Sequence, residues 1–147
     1  MKERAIKNIF INGAIPPEKV SESIKKHAEK TQIGAHSIFL GQIRADKLSD
    51  RVTKAIEYTA HQELALTLMH GIREEIIDKY QLTCMHVYHS LGEVKVGELC
   101  LFVYTSSAHR KAAQQACEEL VERIKKELPI WGKEILNDGQ YQWKINN

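Results

Sequence analysis

Arg44, Arg110, Lys125 and Lys133, with the imidazole of His109 and the carboxylate of Glu134, are the side chains of this 147-residue sequence best suited to chemistry. An arginine forks onto oxyanions, and a desolvated lysine or a histidine moves protons near neutral pH. The set therefore suits a phosphorylated or carboxylated ligand together with proton transfer. A passive binder and an enzyme would both use such groups.

Other chemistries lack support in the sequence. It has no G-x-G-x-x-G, Walker loop, G-x-S-x-G or H-E-x-x-H motif. His86 and His89 look like a metal pair, yet residues three apart on a strand point to opposite faces, so no metal site is expected from them. Cys100 lies in an apolar strand and Cys117 in an apolar helical stripe, where a thiol behaves as a small hydrophobe; Cys84 has a sequence context open to exposure, with nothing near it that predicts a lowered pKa. Three cysteines without C-x-x-C spacing indicate neither a disulfide framework nor a zinc knuckle.

The element that must position most of these groups is a helix within Ser106–Glu134. Ala113, Ala116, Cys117, Leu120, Ile124 and Leu128 recur at spacings of three and four, giving one apolar stripe. Ser106 or Ser107 is expected to cap it, and Pro129 limits its extension. His109 and Arg110 then fall in the first turn, where unpaired N–H groups and the helix dipole favour an anion. Lys125 and Lys126 fall in the last turn. His109 and Lys125 are sixteen positions apart, roughly 24 Å at about 1.5 Å per residue. One small ligand does not span that within one chain. Either the two ends are unrelated basic patches, or two chains pack so that the helix start of one meets the helix end of the other.

Around this helix the spacing predicts a strand over Ala5–Ile11, a helix after Pro16-Pro17 with Val20, Ile24 and Ala28 inward, and a strand over Gly34–Arg44 with Gly41 at a bulge or close approach. A strand over Arg51–Tyr58 and a helix on Leu64, Leu68, Ile72 and Ile76 follow. Leu82–Ser90 and Leu99–Tyr104 read as strands separated by a small β excursion over Leu91–Glu98. Asn137-Asp138-Gly139 turns the chain into a final strand through Tyr141 and Trp143. The fold class is α+β, a largely antiparallel sheet flanked by helices, in one domain spanning 1–147.

Composition fits that reading. The chain is 43% hydrophobic and 27% charged, enough to bury a core. A net charge of +2 argues against nucleic-acid binding by bulk electrostatics. No apolar run approaches the length of a membrane span, and MKERAIKNIFING lacks the apolar core of a signal peptide, so the expectation is an unprocessed cytoplasmic protein.

The segments GAHSIFLGQIR, AIEYTA, HSLGEVKVGE, SSAHRKAAQQACEELVERIKKELPIWGKE and DGQYQW, in this order, resemble the large, catalytic subunits of molybdopterin synthase. SAHR followed by KxxxPxW is the most specific pair. The resemblance implies an α/β hammerhead-type fold. It also implies a homodimer with a small ubiquitin-like sulfur-carrier subunit docked at each far end. The implied reaction passes sulfur from the carrier's thiocarboxylated Gly-Gly tail to cyclic pyranopterin monophosphate, forming the molybdopterin dithiolene without a metal or redox cofactor. Arg44, His109 and Arg110 are implied in binding the substrate phosphate, and Lys125 in proton transfer at the carrier tail. The site is implied to be shared across two chains. One departure stands out: the family commonly reads PxWKxE, and here Gly132 occupies the first lysine position. Lys133 is the expected catalytic stand-in, with Lys126 and Glu134 as supporting groups. Ser90 stands where arginine is frequent, and Gln42 where a basic residue is frequent. The rival function is a non-catalytic dimeric module binding a phosphorylated metabolite or a ubiquitin-like tail.

Overall fold

The computed structural model describes residues 5–145; Met1–Arg4, part of the N-terminal stretch and of the 1–147 span read above, and Asn146–Asn147 lie outside the described residues. Among the described residues eight strands and three helices follow in the order β1 (Phe10–Asn12), α1 (Pro17–His27), β2 (Ala35–Gln42), β3 (Lys47–Leu48), β4 (Arg51–Ala60), α2 (Gln62–Tyr80), β5 (Cys84–Lys95), β6 (Leu99–Ser107), α3 (Arg110–Glu127), β7 (Ile130–Leu136) and β8 (Tyr141–Trp143). The sheet runs β2-β6-β5-β4-β7-β8, with β1 added in parallel to β5 and β3 paired to β4. Every other pairing is antiparallel, as the α+β reading requires.

β6 is the sheet's most buried strand: Cys100 through Ser107 are all buried. α3 presents the expected stripe, Ala113, Ala116, Cys117, Leu120 and Ile124, to a core shared with Met69, Ile72 and Ile76 of α2 and with Met85, Val87, Leu101 and Val103 of the sheet. Such burial is worth about 1.5–3 kcal/mol for each large aliphatic side chain. A second, smaller cluster of Ile15, Phe102 and Tyr104 lies beside Val20 of α1.

Several expectations are corrected. The buried face of α2 is Ala65, Met69, Ile72 and Ile76, while Leu64 and Leu68 sit on an exposed flank. In α1 the inward residue is His27, 7% exposed, whereas Ile24 is 44% exposed and Ala28 lies just past the helix. The β excursion takes the form of a continuation. β5 runs unbroken to Lys95, leaving β6 to pair with β4 over Gly92–Lys95, before a turn at Val96–Glu98. α3 begins one residue after His109, which is its N-cap without a side-chain cap bond. Ser106 instead stays in β6 and bonds His36, and Ser107 Oγ accepts only a long 3.4 Å bond from the His109 N–H. Gly34 packs under the Ala108 carbonyl, where any Cβ would collide, and this contact fixes the path into α3.

Candidate active site

The C-terminal end of α3 meets the ends of β2, β7 and β8 at a cleft. Antiparallel β2 carries a register shift between Gly41 and Gln42, the bulge expected at Gly41. A Cβ at Gly41 would stand 3.2 Å from Leu101 Cβ and 3.5 Å from Cys100 Sγ. Close approach there lets Phe39, Gly41 and Gln42 form one wall. Lys125 leaves the last turn of α3 with its Nζ 5.9 Å from the centre of the Phe39 ring. Pro129 then ends the helix and passes the chain into β7, whose Trp131 and Gly132 form the opposite wall.

Arg44, Lys125 and Glu134 all line the adjoining part of this cleft. Arg44 is highly exposed, and its Nε donates to Asp46 at 2.7 Å. An exposed pair of this kind is weak, so an incoming anion can take the guanidinium from Asp46. Glu134 is buried and accepts from Gln142 Nε2 at 2.6 Å.

The two stand-ins for the lysine absent at Gly132 do not reach the cleft. Successive residues of a strand alternate faces. Gly132 and Glu134 of β7 face inward, and Lys133 points outward, over the Tyr141 ring at 4.6 Å and 3.7 Å from Glu57. Lys126 lies on the outer side of α3, paired with Glu122 at 3.4 Å. Besides Lys125, the lysine that lines both parts of the cleft is Lys144. Its backbone N–H donates to the Gly132 carbonyl at 2.8 Å, so Lys144 lies directly beside the glycine. The sequence reading missed Lys144. The available signal was the alternation in Tyr141-Gln142-Trp143-Lys144, which puts Gln142 and Lys144 on one face.

A side chain at position 132 has little room. A Cβ there would lie 3.1 Å from Ile56 Cγ2 and 3.2 Å from Tyr58 Cε1. Gly132→Lys is therefore expected to destabilise the fold by about 1–3 kcal/mol through overpacking, read as a lowered thermal midpoint. An unchanged midpoint would show that Tyr58 swings aside freely. At the other departures, Ser90 is fully buried, which leaves no room for an arginine, and Gln42 lines the cleft.

His89 forms the floor, edge-on to Tyr58 with ring centroids 5.0 Å apart. His86 points elsewhere, as strand alternation requires. Burial lowers the His89 pKa most; the bond to the Ser90 carbonyl opposes this, and the charges of Lys144 and Lys125 lower it further. His89 Nδ1 donates to that carbonyl at 2.8 Å, which assigns the lone pair to Nε2. A folded pKa below the ordinary value of about 6.5 means that unfolding takes up protons, so this group's contribution to stability is lost as pH falls below about 6.5. Lys144→Ala is expected to raise the His89 pKa, followed through its imidazole resonances by NMR. No change would mean that the ammonium does not face His89.

His109 and Arg110 lie at the far end of α3, so the structure does not bring them to Arg44 and Lys125 within one chain. It places Arg44, Lys125, Lys144, His89 and Glu134 together instead.

The family model described as MoaE protein matches residues 15–127. The chain belongs to the MoaE family. MoaE relatives include the molybdopterin synthase catalytic subunit of Bacillus subtilis, 37% identical over 123 residues that cover 84% of this chain and 77% of the relative. That of Pyrococcus abyssi is 36% identical over 108 residues, 74% of this chain and 72% of the relative. The crystal structure of molybdopterin synthase from Staphylococcus aureus superposes with a TM-score of 0.81 at 29% identity, covering 99% of both chains. A chain in the complex of subunits 1 and 2 of molybdopterin-converting factor from Helicobacter pylori shares the fold, with a TM-score of 0.78 at 20% identity over 94% of this chain and 90% of that one. As a MoaE protein, the chain functions as a catalytic subunit of molybdopterin synthase, an enzyme of sulfur transfer in molybdopterin biosynthesis. Among the described residues no helix is long and apolar enough to cross a membrane.

Proposed function

We propose that the cleft at the end of α3 receives the thiocarboxylated tail of a small ubiquitin-like carrier and passes its sulfur to cyclic pyranopterin monophosphate. The observation that carries this reading is the convergence of Arg44, Lys125 and Lys144 on one cleft with Gly41 and Gly132 on facing walls. Glycines on both walls leave a narrow slot suited to an extended Gly-Gly tail. Trp131, Tyr141 and Trp143, all exposed, cluster around β7 and β8, an apolar surface suited to the body of the carrier. In the reaction the thiocarboxylate sulfur attacks a pterin side-chain carbon and displaces an oxygen substituent, which leaves protonated; water then cleaves the acyl–sulfur bond of the resulting thioester, releasing the carrier as its carboxylate and leaving the thiol on the pterin. Lys125 moves the proton, Lys144 supplies the second cationic group, and Arg44 holds the substrate phosphate.

Two copies complete the site. Among the described residues β2 pairs only with β6, and its outward Ile38 and Leu40 are exposed. Joining the free edges of two β2 strands about a two-fold axis runs the two α3 helices antiparallel. The His109 and Arg110 end, beside Ala35, then approaches the Gln42 and Lys125 end of the second copy. The whole chain acts as one domain, and its buried unpaired thiols, Cys84, Cys100 and Cys117, suit the reducing cytoplasm.

The test is single-turnover conversion of cyclic pyranopterin monophosphate by this protein with a thiocarboxylated carrier, with molybdopterin detected after oxidation to a fluorescent derivative. Product is the expected result. Carrier binding without product would sink the sulfur-transfer assignment in favour of a binding module.

A further inference from the structure

A second cluster of chemically competent side chains lies away from the cleft, on the face of the sheet that α1 covers. Cys84 and His86 open β5 two residues apart and so share one face of the strand. His27, at the end of α1, closes over them. His27 Nε2 lies 3.0 Å from Cys84 Sγ, Cys84 Sγ 3.1 Å from His86 Nε2, and the two Nε2 atoms 3.2 Å from each other.

A simple hydrogen-bonded chain, thiol to His27 and His86 to sulfur, uses two edges of this triangle. The third edge brings two imidazole nitrogens together, which is what a shared ion does. An ion about 2.1 Å from each nitrogen and about 2.3 Å from the sulfur, the ordinary bond lengths to imidazole and thiolate, would sit roughly 1 Å out of their plane. A further observation points the same way. His27 Nδ1 donates to the Ser23 carbonyl at 2.6 Å, which assigns the lone pair to Nε2 and aims it at the triangle. Metal-binding histidines are commonly oriented by such a bond from the other nitrogen.

We propose that His27, Cys84 and His86 form a three-ligand site for a soft, thiophilic metal ion, and that its charge suits Cu(I). Thiolate and imidazole ligands select copper and zinc over harder ions. The surroundings choose between those two. Lys30 Nζ stands 3.6 Å from Cys84 Sγ, and Lys7, Lys26 and Arg73 line the open cleft beside the triad. A divalent ion with one thiolate leaves a net positive unit among these cations; Cu(I) with one thiolate is neutral. Binding exchanges the thiol proton for the ion and moves the His86 proton from Nε2 to Nδ1, with no change of oxidation state. The site is independent of the sulfur-transfer cleft.

The experiment is anaerobic competition for Cu(I) between the full chain and the chromophoric chelator bicinchoninate, with copper K-edge X-ray absorption on the complex. One ion per chain, bound through one sulfur and two nitrogens, is expected. His27→Gln and His86→Gln should each weaken binding by roughly tenfold or more, while circular dichroism verifies folding. Affinity unchanged in both variants, or sulfur-only scattering, would overturn the site. Zn(II) held in preference to Cu(I) would overturn the choice of ion. If either variant fails to fold, the edge spectrum of the parent decides alone, by the presence or absence of two nitrogen ligands.

Discussion

Lys125→Ala is expected to lower the single-turnover rate of sulfur transfer by about 10²–10⁴-fold, the usual contribution of a positioned proton-transfer group. Lys125 lines both parts of the cleft. It stands at the end of a helix whose apolar stripe is buried along its length, so its backbone position is held firmly. The substitution removes charge and proton donor together, and Lys125→Arg separates them. Arginine keeps the charge but stays protonated at any working pH, so this variant should retain substrate binding and still lose turnover. A loss confined to KM in both variants would reassign Lys125 to ground-state binding. Lys144→Ala serves as the contrast in the same assay, since Lys144 is proposed to supply charge rather than the proton.

Legibility in the sequence followed how local the determining physics is. The α3 stripe depends only on helical spacing, and Ala113, Ala116, Cys117, Leu120 and Ile124 are buried as read. The bulge at Gly41 and the turn at Asn137-Asp138-Gly139 are likewise local, and the structure has both, with Gly139 at a positive φ. Strand faces are different. Which residues of β7 look inward depends on its register against β4, where Gly132 pairs with Tyr58 and Lys133 with Glu57, and a slip of one residue reverses every side chain. That is why Lys133 was expected in the cleft and Lys144 was missed. α1 failed for a related reason. Its apolar residues are few, and His27 rather than Ile24 is buried because Cys84 and His86, far away in sequence, supply polar partners for the ring. Cys84, whose sequence context was open to exposure, is buried by the same contact. Ser106 was read as a helix cap because Ser favours that position; the His36 ring, paired to it across β2 and β6, takes its hydroxyl instead.

Mixing two inactive variants tests the shared site. Lys125→Ala loses the group at the end of α3, and the double variant His109→Ala, Arg110→Ala loses those at its start, while the fold of each is left intact because all three side chains are outside the core. In a two-fold dimer with composite sites, a mixed dimer holds one site carrying every substitution and one carrying none. Dissociation and random reassociation at equal concentrations makes half the dimers mixed, so about a quarter of parental activity should return. A site contained within one chain would recover nothing, because no chain in the mixture has both ends of α3 unaltered. The length of the helix forces these alternatives: its two ends are too far apart for one small ligand, and the proposed pairing of two β2 edges would bring the start of one α3 to the end of the other. Joining that edge covalently provides the control. A disulfide across two β2 strands, formed before mixing, should abolish the recovery by preventing exchange while leaving the parental dimer active.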